Sequence, residues 1–331
     1  MIDKRSIVVI GGGTGTFAVL SGLKQYRKQV DVTAVVTMAD AGGSTGVLRD
    51  EFGCLPVGDV RMSLVALARE NGDHDELLRQ LFLYRFDKGA GLNGHNFGNL
   101  LLVALTDILG SEEAAISAAA RVLRVHGRVV PVTTEKVDLV ATYDDGSELV
   151  GEHHIDEPAH KDTKRITDLS IIPHASVNTR AEDALLNADI IVLGPGDLYT
   201  SVLANCVVDG VPEAIRRSGA QVVYVSSLMT KVGQTSGMGT KEQLAEITRF
   251  IGREPDVMLS NTAPLPEELL ARYATENEYP VEVNCDGARC KVIKDDFLAT
   301  EAVTTAKGDV LKRSLIRHDA RKIAGTIIDL L

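Results

Sequence analysis

The chain has 331 residues, of which 44% are hydrophobic, and it carries a formal net charge of -11 at neutral pH. A chain of this length buries one large core or two modest ones, which excludes a small domain that depends on disulfides or metals. The acidic balance gives no broad electrostatic surface for nucleic acid or for an anionic membrane. An anionic ligand would therefore need local hydrogen-bond donors.

The four cysteines are scattered along the chain without the paired spacing of a zinc site, so we expect reduced thiols. No apolar stretch approaches the roughly 18 residues that a membrane-spanning helix needs. We therefore expect a soluble cytoplasmic protein, with no membrane insertion and no nucleic-acid partner.

The predicted elements alternate between strand and helix. A buried strand over residues 6–10 ends in glycines, and a helix over 16–25 leads to a second strand over 30–38. Helices are predicted over 98–109 and 111–125, the latter beginning at Ser111. Further strands are predicted over 188–196, 220–229 and 256–260, with helices near 212–218 and 266–274. This recurrence predicts an α/β fold with a Rossmann-like, doubly wound, mainly parallel sheet, whose ligands bind beyond the carboxyl ends of the strands.

One stretch departs from this rhythm. Residues 129–150 alternate apolar and polar positions around an Asp-Asp-Gly turn, which predicts an antiparallel β-hairpin on the sheet edge or in an insertion. The polar segment that follows, over 151–168, is interpreted as an irregular surface connection. We therefore expect a single α/β domain over 1–331, with a β-hairpin and polar loop inserted near 129–170.

The first strand ends in "GGGTGTF". A dinucleotide fingerprint needs glycines at relative positions 1, 3 and 6, but the sixth position is Thr16 counted from Gly11, or Ala18 counted from Gly13. No Gly-Lys-Ser/Thr follows, which excludes a P-loop. The amides of this corner can still surround a phosphate or diphosphate, although the glycines could instead serve close packing of strand and helix. The predicted ligand residues here are Gly11, Gly12, Gly13, Thr14 and Gly15.

A second glycine corner, "ADAGGSTG", follows the second predicted strand. Asp40 stands where Rossmann-type folds often place an acid for a ribose hydroxyl, but it could also cap a turn or helix. Gly42, Gly43 and Ser44 are the further predicted ligand residues. Asp59 and Arg61 in "PVGDVR" are either ligand contacts or an N-cap and a solvated helix residue. That segment alone favours the second interpretation.

Two later segments carry polar side chains beside glycines. In "GLNGHNFGN", His95, Asn96 and Asn99 offer donors and acceptors suited to a sugar or phosphate, although a lone histidine is more often structural. In "LGPGDLYTS", Asp197 could orient a hydroxyl, hold Mg²⁺ through a phosphate, or cap the next helix. The other predicted ligand residues of this segment are Gly194, Gly196 and Tyr199.

Taken in order, the motifs GGGTG, D-x-GGS-x-G-x-LR, LP-x-GD-x-R, GH-x-x-GNLLL-x-AL, GPG-x-LYTS and RHD resemble those of the YvcK family, called gluconeogenesis factors. That family belongs to the CofD-like proteins, whose namesake is 2-phospho-L-lactate transferase. The resemblance runs from Ile7 to about Ala324. It implies a Rossmann-like fold, a cytoplasmic location, binding of UDP-activated sugars, and a role in cell shape and wall synthesis during growth on gluconeogenic carbon sources.

The resemblance also implies roles for particular residues. The two glycine corners would hold the diphosphate with Asp40 near the nucleotide, and Tyr273 and Arg317 match positions that contact the ligand. An aromatic face can stack on uracil and a guanidinium can bind a diphosphate, although both residues could equally be ordinary surface groups. The chain departs from the family pattern at Ala41, where D-D-GGS has its second acid. It departs again at Val232 and Gln234, where M-T-x-PGET has proline and glutamate.

The leading hypothesis is a regulatory protein that binds a nucleotide-sugar, with no required cofactor and no resident metal ion. The alternative is a Mg²⁺-dependent transferase that moves a phospho-organic group from a nucleotide donor, which the loss of acids at 41 and 234 makes weaker. The failed glycine count disfavours an NAD-dependent oxidoreductase. The expected partners are a nucleotide or nucleotide-sugar and a protein of cell-wall synthesis, and a homodimer is an open alternative to a monomer.

Overall fold

The computed structural model describes residues 4–158, 164–285, 287–300 and 314–331. The strands are β1 (Arg5–Gly11), β2 (Val30–Val36), β3 (Arg128–Pro131), β4 (Asp138–Tyr143), β5 (Glu148–Val150), β6 (Ile166–Ile172), β7 (Ile190–Leu193), β8 (Gln221–Val225), β9 (Val257–Asn261) and β10 (Lys291–Asp295). Within the described residues, a seven-stranded parallel sheet has the order β10-β9-β8-β7-β1-β2-β3, and a three-stranded antiparallel sheet has the order β5-β4-β6.

Helices occupy most of the remaining described chain. A short 3₁₀ turn follows α1 at Lys24–Tyr26, and a π-helical turn lies at Leu198–Leu203. The α-helices are α1 (Gly13–Leu23), α2 (Gly43–Phe52), α3 (Gly58–Leu67), α4 (Asp73–Leu83), α5 (Phe97–Leu109), α6 (Glu112–Val122), α7 (Glu152–Asp156), α8 (Thr179–Leu186), α9 (Ala204–Cys206), α10 (Val211–Arg217), α11 (Thr240–Ile251), α12 (Glu267–Ala274) and α13 (Ala320–Ile328).

The parallel sheet forms because its strands are apolar on both faces. The β1 residues Ile7, Val8, Val9 and Ile10 are fully buried, as expected for a central strand covered by helices on each side. The predicted doubly wound α/β fold is confirmed. Strand order reverses at β1, since β2 lies on one side of it and β7 on the other. The edge of the sheet between β1 and β7 is therefore the switch point at which such folds bind ligands.

The small sheet begins later than the predicted hairpin. Residues Arg128–Pro131 pair in parallel with β2 as the edge strand of the main sheet, because Val129, Val130 and Pro131 are all buried rather than alternating. The antiparallel hairpin is β4 and β5, and β6 completes its sheet. The predicted irregular connection over 151–168 contains α7 and the first residues of β6, while its residues 159–163 lie outside the described residues.

The first and last described helices pack tightly against each other. A Cβ at Gly22 of α1 would overlap the carbonyl oxygen of Ala320, at the start of α13. The C-terminal segment is thereby fixed beside the helix that follows β1. In the described part of the chain, we find no helix with the length and apolar character needed to cross a membrane. All four cysteines are free thiols.

Candidate functional site

A cavity of about 350 Å³ opens at the switch point. Loops that follow β1, β2, β7 and β8 line it, together with the start of α3, α7 and the segment before α13. Twelve of the predicted ligand residues meet there: Gly12, Gly13, Thr14, Gly15, Asp40, Gly42, Ser44, Asn99, Gly196, Asp197, Tyr273 and Arg317. The other six, Gly11, Gly43, His95, Asn96, Gly194 and Tyr199, do not line it.

The glycines of the first corner serve two purposes. An added Cβ would overlap Thr16 at Gly11, Asp59 at Gly12, and the carbonyl oxygen of Pro195 at Gly15. Close packing therefore explains these three positions. Gly13 differs, because its φ of +65° favours glycine and an added Cβ would meet nothing closer than Ser201 Oγ at 3.8 Å. Gly13 thus presents open backbone to the cavity at the first residue of α1.

Asp59 and Arg61 are part of this site. The Gly13 amide donates to Asp59 Oδ1 at 2.8 Å, and burial, with repulsion from Asp40, raises the pKa of Asp59 to about 7. Arg61 is only 6% exposed, and its Nε donates to Asn99 Oδ1 at 2.8 Å. The interpretation of Arg61 as a solvated helix residue was wrong, because α3 points its first turn into the cavity rather than into solvent.

Asp40 holds the second glycine corner in place. Its Oδ1 accepts from the Gly42 amide at 2.9 Å, so the turn-capping alternative is confirmed, and its side chain also lines the cavity. Burial raises the pKa of Asp40. The contact with a ribose hydroxyl stays a prediction. Gly43 lies at the exposed start of α2.

Behind this corner lies a network of polar side chains. His95 Nδ1 lies 3.2 Å from Ser44 Oγ, and Asn96 caps α5 by accepting from the Asn99 amide at 3.3 Å. Asn99 Nδ2 lies within 3.5 Å of both Ser44 Oγ and Thr45 Oγ1. His95 and Asn96 therefore support the residues that line the cavity without lining it themselves.

In the loop after β7, some of the predicted ligand residues line the cavity and others support it from behind. Gly196 and Asp197 line the cavity, whereas Gly194 is buried behind them. Burial raises the pKa of Asp197 to about 6. Tyr199 is fully buried, and its hydroxyl, which has one hydrogen to donate, lies 3.1 Å from Glu246 Oε2 and 3.2 Å from the Ile166 carbonyl oxygen. Tyr199 thus joins the parallel sheet to β6.

Tyr273 and the C-terminal segment close the opposite side of the cavity. The Tyr273 hydroxyl accepts from the amides of Leu315 and Ile316 at 2.8 and 3.3 Å. This contact fastens the segment that carries Arg317, whose Nε donates to the Ser314 carbonyl oxygen at 2.9 Å. His318 also lines the cavity, and burial lowers its pKa to about 4, so its imidazole is neutral at pH 7.

The prediction from sequence missed a group of charged residues. Glu152 and Asp156 reach the cavity from α7, and Lys231 and Glu278 reach it from loops after β8 and α12. Glu152 Oε2 accepts from the Ala41 amide at 3.4 Å, and burial raises its pKa well above the ordinary value. The spacing of Glu152 and Asp156 by four residues was a usable signal, since it places both carboxyl groups on one face of a helix.

The cavity can accept hydrogen bonds and protons at several carboxyl groups, and it offers cations at Lys231, Arg61, Arg85 and Arg317. Among the residues that the structure describes, no three histidine, cysteine or carboxylate side chains are placed to hold a metal ion.

The fold and the site together define the class of protein, which is a doubly wound α/β protein with its cavity at the switch point. The family model described as 2-phospho-L-lactate transferase CofD matches residues 7–298, and the chain belongs to this CofD family.

Within this family, the chain is similar over its full length to gluconeogenesis factors, which confirms the resemblance found in the motifs. The chain is 36% identical to the gluconeogenesis factor of Bacillus subtilis, over 100% of this chain and 98% of that protein. It is 39% identical to the gluconeogenesis factor of Halalkalibacterium halodurans, over 99% of this chain and 97% of that protein. A solved Bacillus halodurans protein of the UPF0052 family matches with a TM-score of 0.88 at 36% identity, over 99% of this chain and 100% of that chain.

Proposed function

We propose that the cavity binds a nucleotide-sugar, with a UDP-sugar as the first candidate, and that the protein acts as a cytoplasmic regulator rather than as a catalyst. The observation that carries this proposal is the meeting of three loops, after β1, β2 and β7, around one cavity at the switch point. A volume of about 350 Å³ falls within the range of small-molecule sites.

The cavity offers a group for each part of such a ligand. Helix α1 begins at Gly13 with open space in front of it. Although the Gly13 amide itself donates to Asp59, the partial positive charge at the start of a helix favours a phosphate. Arg317 provides a planar cation for the diphosphate, and the Tyr273 ring provides a surface for the base. The name gluconeogenesis factor, which full-length relatives carry, supports a role in growth on gluconeogenic carbon. We extend that role to cell shape and wall synthesis, with a protein partner that distinguishes the ligand-bound protein from the ligand-free one.

The first experiment is a thermal melt with UDP-glucose, UDP-N-acetylglucosamine, UDP and UMP. A ligand that binds only the folded state increases the free energy of unfolding by mass action, by about 2.7 kcal/mol at a hundredfold excess over Kd, and so raises Tm. We expect the UDP-sugars to give the largest shift. Gly13→Leu should abolish the shift, because its side chain would project toward Ser201 in the cavity.

Gly72→Leu is the matched control. Gly72 has a φ of +88° with nothing within 4 Å of an added Cβ, and it lies outside the cavity. This variant carries similar backbone strain and should keep the full ligand shift. An undiminished shift in Gly13→Leu would show that the diphosphate is held elsewhere.

Transfer of a phospho-organic group from a nucleotide donor is the second candidate function. The description of the family model favours it, as do the carboxyl groups of Asp59 and Asp197, whose raised pKa values of about 7 and 6 suit proton acceptors near neutral pH. Release of free nucleotide from UDP- or GDP-linked donors, in the presence of hydroxyl acceptors and lost in Asp40→Asn, would establish the transferase instead of the regulator.

A further inference from the structure

Lys231 stands among the carboxylates of the cavity. Its Nζ lies 3.5 Å from Asp156 Oδ1 and 3.9 Å from Asp197 Oδ2. Glu278 is a third carboxylate close enough to act on this ammonium. Burial alone would lower the pKa of Lys231, but attraction to the three carboxylates raises it above its ordinary value. The side chain is therefore a fixed positive charge at neutral pH.

Asp156 also accepts hydrogen bonds from two neutral side chains. Its Oδ1 accepts from Gln234 Nε2 at 3.3 Å and from Thr200 Oγ1 at 3.4 Å. The Lys231 ammonium lies within 4 Å of both Asp156 and Asp197, which is where a divalent ion that bridges these two carboxylates would lie. With the ammonium in that position, the arrangement does not fit the Mg²⁺ of a transferase.

Gln234 contributes to the same arrangement. It is fully buried, and its Nε2 also lies 3.4 Å from the Ile155 carbonyl oxygen. An amide donates to Asp156, whereas an ionised glutamate at this position would only repel it. The amide at 234 and the ammonium at 231 therefore work together, since both supply donors to a carboxylate that a metal ion would otherwise bind.

We propose that the Lys231 ammonium takes the place of a divalent cation in this cavity, holding Asp156 and Asp197 together and giving its charge to the phosphates of the ligand. Removal of Lys231 would then free the carboxylates for a divalent ion and would make ligand binding depend on that ion. The part that concerns phosphates rests on the proposed function, whereas the part that concerns the cation does not.

The test begins with Mn²⁺ alone, titrated into the full chain and followed by electron paramagnetic resonance. We expect Lys231→Met to bind Mn²⁺ at least tenfold more tightly than the wild-type chain. Lys241→Met, which removes an exposed lysine at the start of α11, should behave as wild type. Lys231→Arg keeps the charge and should bind Mn²⁺ no better than wild type. Equal Mn²⁺ affinity in wild type and a folded Lys231→Met would overturn the proposal.

A second measurement uses the wild-type chain and so does not depend on the folding of Lys231→Met. Wild-type protein treated with a chelator should bind UDP-glucose with unchanged affinity. A folded Lys231→Met should lose at least tenfold in affinity in chelator and recover in Mn²⁺. Loss of wild-type binding in chelator would overturn the proposal. If UDP-glucose and the other nucleotides bind in neither condition, the proposed function fails, while the Mn²⁺ titration still decides whether Lys231 replaces a divalent ion.

Discussion

At the scale of single residues, protonation sets the charge that a ligand meets. Burial raises the pKa values of Asp40, Asp59, Glu152 and Asp197. Each of these groups holds a proton more tightly in the folded chain than in the unfolded one, so folding loses stability as pH rises above the ordinary carboxyl pKa. The same protons reduce the negative charge of the cavity, which favours an anionic ligand at lower pH.

Asp59→Asn should flatten the pH dependence of stability. Between the ordinary pKa of 3.8 and about 7, ionisation of Asp59 costs the folded state up to about 4 kcal/mol at 1.36 kcal/mol per pKa unit. Asparagine cannot ionise, and its Oδ1 still accepts from the Gly13 amide. In melts from pH 5 to pH 8, the variant should gain Tm relative to wild type as pH rises. Asp107→Asn, at an exposed position of α5, should show no such trend, and a constant difference for Asp59→Asn would contradict the assignment.

Single residues also show how far sequence reasoning reached. Gly13 and Asp40 both line the cavity, and both follow within four residues of a strand that the sequence pattern predicts. Asp59 has its partner Gly13 46 residues away, and Glu152 has its partner Ala41 111 residues away. A short polar motif carries no signal of contacts so distant. Without the tertiary packing, nothing separates a tyrosine that lines a cavity from one that is buried, as Tyr199 is.

At the scale of elements, the closest helix pair ties the two ends of the described chain together. Gly22 of α1 leaves no room for a side chain against the backbone of α13, and α13 directly follows Arg317 and His318. The helix that begins at the first glycine corner thus also positions the C-terminal residues of the cavity.

Gly22→Ala should destabilise the fold. Alanine normally favours a helix over glycine by about 1 kcal/mol, but here its methyl group would overlap the Ala320 carbonyl oxygen. We expect a net loss of about 1–3 kcal/mol, the usual cost of overpacking, and weaker ligand binding as α13 shifts. Gly325→Ala in α13 is the matched control, since its Cβ would lie 3.7 Å from the Tyr26 hydroxyl, an ordinary contact. Denaturant unfolding should separate the two variants, and equal stability would refute the role of Gly22.

Element types were more predictable than element partners. The Ser111 N-cap is confirmed, since its Oγ accepts from the Ala114 amide at 3.2 Å. The helix predicted from residue 16 begins at Gly13 instead, because glycine accepts the positive φ of that first residue. The prediction that places residues 129–131 in the hairpin is wrong, because a short apolar run does not reveal whether its neighbour is parallel or antiparallel.

At the scale of the whole molecule, the cavity joins two halves of one sheet. Strands β1, β2 and β3 lie on one side of the switch point, and β7, β8, β9 and β10 lie on the other. A ligand that fills the cavity touches loops from both halves and the segment before α13. Binding should therefore stabilise distant parts of the chain together.

Amide hydrogen exchange measures directly whether a bound ligand stabilises both halves of the sheet. With UDP-glucose bound, we expect slower amide exchange in residues 12–15, 42–45, 195–201 and 314–318 at the same ligand concentration. Helix α4 does not line the cavity, and its exchange should stay unchanged. Protection restricted to a single one of these loops would mean that the ligand does not bridge the two halves.

The small antiparallel sheet also bears on the cavity, through α7. That helix follows β5 directly, anchors itself with the fully buried Ile155, and extends Glu152 to Ala41 and Asp156 to Lys231 and Gln234. Replacing residues 137–172 with a short turn would leave every strand of the parallel sheet in the chain. It would also remove one wall of the cavity and leave the Lys231 ammonium without its nearest counter-ion. The segment that looks most dispensable in a topology diagram is thus a structural part of the binding site.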